Sequence, residues 1–146
     1  MARWQEFLEL LNSQAGDQYV FGVEVDPSDS DPNAFDCSEL IQWACSRLGI
    51  KPAMPDGSWM QIQHCRKHNA LLPVEKALIT PAALLFQFSS SPFGAGRPEQ
   101  AHVAVSQGNG TTIEARGKKY GVGAFSAHGR GWTDAALVPG LDYEEG

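Results

Sequence analysis

The spacing of apolar residues changes in the middle of the chain, and this change limits the folds available to it. Up to about residue 71, apolar side chains recur three or four positions apart, as on one buried face of a helix. Further along, short apolar segments bounded by turn residues predict β-strands at residues 83–88, 102–107 and 111–116. Helices followed by strands indicate an α+β domain, with helices packed on an antiparallel sheet.

Three helices are expected before the strands. The first ends before Gly16, and its apolar face comprises Trp4, Phe7, Leu8 and Leu11. The second begins at Cys37 and stops at Gly49, and its apolar face comprises Leu40, Ile41, Ala44, Cys45 and Leu48. The third covers about residues 57–71, with Asp56 as N-cap and an inward face of Trp59, Ile62 and Cys65. Residues 135–143 are expected to add a last strand, with Pro139 near an edge.

Length and charge restrict the class of protein. The 146 residues fit one domain, residues 1–146, and no apolar run approaches the roughly 18 residues of a membrane span. A net charge of -6 argues against a nucleic-acid partner. The first helix carries Glu6 and Glu9 within its apolar pattern, so a secretory signal is not expected in this chain. Three cysteines cannot all pair, which leaves at least one free thiol.

Cys37 is the thiol with the most reactive setting. It lies between an aspartate and a serine at the predicted start of the second helix, whereas Cys45 lies among apolar residues. The positive end of a helix and a neighbouring imidazolium both favour a thiolate, the nucleophilic form of cysteine. A histidine that can come close to Cys37 is therefore the next requirement.

The predicted hairpin at residues 102–116 supplies such a histidine. With a three-residue turn at residues 108–110, Val105 faces Ile113 and the apolar residues share one side of the sheet. His102 and Glu114 are then diagonal neighbours on the other side, within reach of a hydrogen bond. Cys37, His102 and Glu114 can thus act as nucleophile, base and the group that orients the base. Each residue taken singly also fits a purely structural role.

Three segments follow one another along the chain: "YVFG" at residues 19–22, "FDCSEL" at residues 35–40 and "HVAVSQGNGTTIEA" at residues 102–115. In this order they resemble the NlpC family of papain-like bacterial cell-wall cysteine peptidases. That family carries Y-x-W-G-G, then D-C-S-G-L, then H-V-G-I-Y-x-G-N-G and a polar residue twelve positions after the histidine. The resemblance implies a papain-like α+β core, in which the cysteine helix packs on an antiparallel sheet that carries the histidine.

The resemblance also assigns roles to single residues. It makes Cys37 the nucleophile, His102 the general base and Glu114 the third polar residue. It also implies substrate or oxyanion binding by four further residues. Tyr19 is the tyrosine beside the cysteine, Asp36 is the aspartate before it, Ser38 contributes a backbone N–H at the helix start, and Ser58 is a pocket serine.

Three positions depart from the family pattern. Glu39 replaces a glycine, so a carboxylate stands on the first turn of the cysteine helix, where it either benefits from the helix dipole or enters the substrate groove. Glu114 stands where histidine, asparagine or glutamine is usual. Residues 81–86 lack a glycine–aspartate pair that precedes the first strand in the family.

Other polar clusters carry weaker signals. His64, Cys65 and His68 have a zinc-like spacing but no fourth ligand, and Arg66 and Lys67 oppose a cation, so no metal site is predicted. The acidic loop at residues 24–31 lacks the pattern of a calcium loop and is expected to be a solvated lid. Two further residues, His128 and Arg130, are expected on the surface or at the groove edge, and Trp132 is assigned either to the core or to a substrate wall.

The function implied by the resemblance is peptidoglycan hydrolysis. The family cuts an amide of the stem peptide, typically after D-glutamate and before a diamino acid, with no metal or organic cofactor. The expected partner is therefore peptidoglycan, and the place of action is the bacterial cell wall. The sequence also resembles hydrolase domains of phage tails, which predicts delivery by a virion. Two alternatives stay open: an acyltransferase or amidase with the same thiol chemistry, and an inactive module that binds cell wall.

Overall fold

The computed structural model describes residues 1–144 as a layer of helices packed on a six-stranded antiparallel sheet. The helices are α1 (Trp4–Asn12), α2 (Cys37–Arg47), α3 (Ser58–Lys67) and the short α4 (Val74–Ala77). The strands are β1 (Gln18–Tyr19), β2 (Ala34–Phe35), β3 (Leu71–Leu72), β4 (Leu84–Phe88), β5 (Ala101–Ser106), β6 (Thr111–Ala115), β7 (Val122–Ser126) and β8 (Asp134–Ala136). The predicted α+β class, with the cysteine helix on an antiparallel sheet, is confirmed.

The main sheet has the order β3-β8-β4-β5-β6-β7, while β1 and β2 form a separate parallel pair. Helix α2 packs on β5 and β6 and directs Leu40, Ile41 and Ala44 into the core. On the other side of the sheet, α4 covers a smaller cluster of apolar side chains. Within residues 1–144, no helix has the length and apolarity that crossing a bilayer requires.

The register predicted for the β5–β6 hairpin is also confirmed. Val105 pairs with Ile113, and both side chains are fully buried. The turn needs Gly108, because its φ is +79° and a Cβ there would lie 2.7 Å from Pro81 Cδ. The polar face of the hairpin is buried as well, since Thr112 is 0% and Glu114 1% exposed.

Three expectations about the third helix and the last strand were wrong. Helix α3 ends at Lys67 instead of reaching residue 71, because Asn69 turns left-handed at φ 58° and the chain then enters β3. Asp56 is not its N-cap: Gly57, at φ 86°, occupies that position without a side-chain cap. The predicted last strand forms only over Asp134–Ala136, and it lies inside the sheet between β3 and β4.

Candidate active site

Asp36 determines how the cysteine helix begins. It is the N-cap of α2, and its Oδ1 accepts a hydrogen bond from the Glu39 backbone N–H at 2.8 Å and one from Ser38 Oγ at 3.2 Å. Its Oδ2 accepts from the backbone N–H of Gly22 at 3.1 Å, which ties the preceding loop to the helix. Cys37 is therefore held in the first turn of α2, at the positive end of the helix, and is half-buried.

A cavity of about 480 Å³ opens at Cys37. All five residues predicted around the nucleophile position line it: Tyr19, Asp36, Cys37, Ser38 and Ser58. Burial, together with the neighbouring Cys37 and Asp36, raises the pKa of Tyr19 to about 12. The Tyr19 hydroxyl thus stays protonated near neutral pH and can donate a hydrogen bond into this cavity.

His102 extends from β5 beside this cavity and lines an adjoining one of about 320 Å³. Its Nε2 lies 3.0 Å from Glu114 Oε1, as the hairpin register predicts. The opposite ring nitrogen, Nδ1, is thereby left for Cys37. The Trp132 ring stacks near the imidazole, with the two centroids 6.3 Å apart, so Trp132 acts as a wall of the histidine pocket.

The environment of His102 favours its charged form. Burial alone would lower the pKa of the imidazole, but hydrogen bonds with Cys37 and Glu114, together with their negative charges, raise it to about 9. Cysteine hydrolases need a thiolate beside an imidazolium, and the environment of His102 is consistent with such a pair.

Glu114 is a buried carboxylate whose partners are a histidine, a hydroxyl and an arginine. Burial would raise its pKa, but hydrogen bonds from His102, Arg130 and Thr112 lower it to about 2. Arg130 reaches Glu114 Oε1 with Nη2 at 2.5 Å and Oε2 with Nη1 at 3.3 Å, and Thr112 Oγ1 donates to Oε2. The carboxylate is therefore fully ionised and held on several sides.

Arg130 is the residue of this site that sequence reasoning missed. It was expected on the surface or at the groove edge; it does line the smaller cavity, but its side chain is only 12% exposed and is engaged with Glu114. One signal was present in the sequence. A carboxylate on a buried strand face requires a cationic partner, and Arg130 is one of the few arginines downstream of Glu114.

Glu39 is not among the residues that line the cavity at Cys37. It is 4% exposed, and it lines a separate cavity of about 450 Å³ on another face of α2. Its Oε2 accepts a hydrogen bond from the Val25 backbone N–H at 2.9 Å, and its carboxyl group faces that of Asp56. Burial raises the pKa of Glu39 to about 7; the Val25 hydrogen bond opposes this rise, while a shared proton with Asp56 and the nearby Asp36 reinforce it.

This carboxyl pair predicts a pH-dependent stability. The pKa of Glu39 in the folded chain, about 7, exceeds the ordinary value of 4.5, so the folded state binds a proton more readily than the unfolded state. The free energy of unfolding should fall as pH rises from about 4.5 to 7. Glu39→Gln keeps the shape and donates to Asp56 without a charge. We expect its melting temperature to exceed that of the wild type by a few degrees at pH 8 and to match it at pH 4.5, as measured by calorimetry.

Cys45, Cys65, His64 and His68 are not among the residues that line the cavities at Cys37 and His102. Burial raises the pKa of Cys45 far above its usual range and that of Cys65 to about 12, so both thiols stay protonated. His64 and His68 contact each other edge to face, with centroids 4.7 Å apart. Of the three cysteines, Cys45 and Cys65 are buried, whereas Cys37 is half-buried, lines a cavity and hydrogen-bonds His102.

Comparisons with known proteins agree with the fold. NlpC2 from Trichomonas vaginalis superposes with a TM-score of 0.70 and 25% identity, over 94% of this chain and 47% of that protein. The peptidoglycan hydrolase RipB from Mycobacterium tuberculosis superposes with a TM-score of 0.65 and 25% identity, over 93% of this chain and 64% of that protein. The NlpC/p60 domain of the peptidoglycan hydrolase SagA superposes with a TM-score of 0.70 and 21% identity, over 92% of this chain and 98% of that domain.

These similarities exist at the level of structure. No model of a protein family matches the sequence, and no curated protein matches it either. The chain spans less than half the length of NlpC2 and of a second Trichomonas protein, NlpC1. The resemblance to the NlpC family noted in the sequence is confirmed by the fold, which is that of NlpC/P60 domains.

Proposed function

We propose that this chain, whose fold is that of the NlpC/P60 domains, is a cysteine endopeptidase that hydrolyses the stem peptides of peptidoglycan. One arrangement carries the proposal: Cys37 at the start of α2 beside His102, whose far nitrogen hydrogen-bonds the buried carboxylate of Glu114. Two of the structurally similar proteins, SagA and RipB, are described as peptidoglycan hydrolases. The similarity supports the substrate class, and the site geometry supports the chemistry.

The first half of the reaction is acyl transfer to Cys37. The thiolate attacks the carbonyl carbon of the scissile amide, and the negative charge moves to the carbonyl oxygen. That oxygen is received by the Cys37 and Ser38 backbone N–H groups at the start of α2 and by the Tyr19 hydroxyl, while the Glu39 N–H stays bonded to Asp36. The His102 imidazolium then gives its proton to the amide nitrogen, the C–N bond breaks and the amine leaves.

The second half is hydrolysis of the resulting thioester. His102 is now neutral and takes a proton from a water molecule, and the hydroxide equivalent attacks the thioester carbonyl. Collapse of this intermediate releases the carboxylic acid and restores the Cys37 thiolate beside the His102 imidazolium. Glu114 hydrogen-bonds Nε2 throughout, so Nδ1 stays directed at the reacting atoms.

The cavity at Cys37 suits a short charged peptide. Its lining carries carboxylates at Asp36, Asp56 and Glu99 together with the guanidinium of Arg97. A stem peptide that ends in a free amine and also carries a free carboxylate presents both complementary charges. The sequence resemblance implies a scissile bond between D-glutamate and the diamino acid that follows it, and these cavity charges are compatible with such a peptide. Delivery of the enzyme by a phage tail is a prediction from the sequence resemblance alone.

Digestion of purified cell-wall sacculi tests this proposal. We expect the wild-type chain to release soluble peptides with new amino termini. A wild-type chain that has been pre-treated with iodoacetamide should release none, because Cys37 is then blocked. Mass spectrometry of the supernatant gives the readout. Retention of the protein on sacculi with no soluble product would contradict the proposal and favour a binding module. Transfer of an acyl group to an added amine, without net hydrolysis, would favour an acyltransferase.

A further inference from the structure

One carboxylate oxygen in the site is shared by two cations. Glu114 Oε1 lies 3.0 Å from His102 Nε2 and 2.5 Å from Arg130 Nη2. The Glu114 side chain is 0% exposed and that of Arg130 is 12% exposed, so water screens this charge pair weakly. The guanidinium is held further by the Ser126 carbonyl at 3.2 Å and by the face of the Trp132 ring, 4.8 Å from Cζ.

We propose that Arg130 is a positioning residue of the catalytic centre, which orients the Glu114 carboxylate and neutralises its charge, so that the Glu114–Arg130 pair acts on His102 as one neutral acceptor. The kinetic part of this inference rests on the proposed function. The electrostatic part concerns His102 alone and needs no substrate.

Arg130 fixes the orientation of the Glu114 carboxylate by its contact geometry. The two guanidinium nitrogens contact different carboxylate oxygens, Nη2 on Oε1 and Nη1 on Oε2. This two-point contact fixes the carboxylate plane, and the Thr112 hydroxyl holds Oε2 from a third direction. Oε1 is thereby kept toward His102 Nε2, and the imidazole ring is kept toward Cys37.

The charge of Arg130 matters most in the acyl-enzyme. Once Cys37 is acylated it carries no charge, so the groups that face His102 are Glu114 on β6 and, through it, Arg130 in the segment after β7. Hydrolysis of the thioester requires a neutral imidazole to take a proton from water. An unpaired Glu114 carboxylate would hold the imidazolium and slow this step. Arg130 cancels that charge while leaving the hydrogen bond in place.

Arg130 could alternatively serve only to anchor its own segment through Ser126 and Trp132. A titration of His102 separates the two roles, because anchoring alone does not change the charge felt by the imidazole. The measurement uses full chains in the Cys37→Ala background, where NMR of the ring protons reports the pKa of His102 without the thiolate. The His102 signals are assigned by comparison with a His102→Gln chain.

The variants are Arg130→Met, Glu114→Gln and the two combined. We expect Arg130→Met to raise the pKa of His102 by about one unit, because Glu114 is left unneutralised. Glu114→Gln should lower it by about one unit, because Arg130 is left unpaired. The double variant should return toward the unsubstituted value. Arg116→Met serves as the matched control, since Arg116 stacks on Tyr120 and Phe125 and is expected to leave the titration unchanged.

Kinetics with Cys37 present give the second readout. Arg130→Met should lower kcat at neutral pH by about 100-fold and accumulate acyl-enzyme, visible by intact-protein mass spectrometry. The double variant should recover at least about tenfold of that loss, since a glutamine accepts from His102 Nε2 without needing a counter-charge. Arg130→Lys, which keeps the charge but not the fork, should show an unchanged pKa of His102 and an intermediate kcat.

The outcomes separate the inference from the function it rests on. An unchanged pKa of His102 in a folded Arg130→Met chain would overturn the inference, whatever the enzyme hydrolyses. If Arg130→Met does not fold, the double variant decides: a folded double variant that is more active than Glu114→Gln supports the neutral pair, and one that is no more active contradicts it. Absence of peptidoglycan cleavage by the wild type, with the expected titration shifts, would contradict the proposed function alone.

Discussion

Replacing Cys37 with alanine is expected to abolish hydrolysis and to leave the fold intact. Cys37 supplies the thiol at the start of α2 beside His102, so the acyl-enzyme cannot form without it. We expect kcat to fall by at least about 10⁴-fold, because removal of the nucleophile in a serine-protease triad costs about 10⁶-fold. The side chain is half-buried and lines a cavity, so the melting temperature should change by no more than a few degrees.

Cys45 provides the matched control for this substitution. It is 1% exposed in the core cluster and its thiol is protonated, so Cys45→Ala removes a packing group and no reactive one. We expect Cys45→Ala to lower the melting temperature and to keep kcat within about threefold of the wild type. Hydrolysis by a folded Cys37→Ala chain at the wild-type rate would show that the reaction takes place elsewhere.

Replacing His102 with glutamine is expected to have the second largest effect. The chain loses the acid that protonates the leaving amine and the base that activates water. General acid–base catalysis of this kind contributes about 10³-fold, and we expect kcat to fall by at least that factor. Alkylation of Cys37 by iodoacetamide should also become slower at neutral pH, because no imidazolium remains to stabilise the thiolate. A folded His102→Gln chain with wild-type kcat would contradict the assignment.

The wild-type pH profile follows from the same residue. Since the pKa of His102 is raised to about 9, the imidazolium persists through the neutral range and is lost as pH rises through that value. We therefore expect kcat/KM to be nearly constant between pH 7 and 8 and to fall above about pH 9. Glu114→Gln should move this alkaline fall to lower pH, because the imidazolium then loses its carboxylate partner.

Two features of the site could be predicted from local sequence patterns: the helix start at Cys37 and the hairpin register. The helix start at Cys37 follows from the apolar spacing after it, and the hairpin register follows from the pairing of apolar residues on one face. A register shift of one residue would have separated His102 from Glu114. Local pattern and turn chemistry were therefore sufficient to bring these two residues together.

The positions of Arg130, Glu39 and Asp56 depend on packing between distant segments and could not be predicted from local patterns. Strand β7 buries only Val122 and otherwise alternates half-buried with exposed positions, so its pattern is too weak to predict a strand. The sequence therefore places Arg130 no more exactly than on the surface or at the groove edge. The position of Glu39 depends on a loop that turns the Val25 backbone N–H toward it. Asp56 was assigned to a helix cap on spacing, whereas the left-handed conformation of Gly57 placed it against Glu39 instead.

The most direct test of the central claim is mass spectrometry of a defined stem tripeptide, L-alanyl-D-glutamyl-diamino acid, incubated with the wild-type chain and with Cys37→Ala. We expect a new free amine on the diamino acid in the wild-type reaction and intact tripeptide in the Cys37→Ala reaction. An intact tripeptide in both reactions, while Cys37 of the wild type is still rapidly alkylated, would contradict the proposed substrate. A tripeptide cleaved equally in both would contradict the proposed nucleophile.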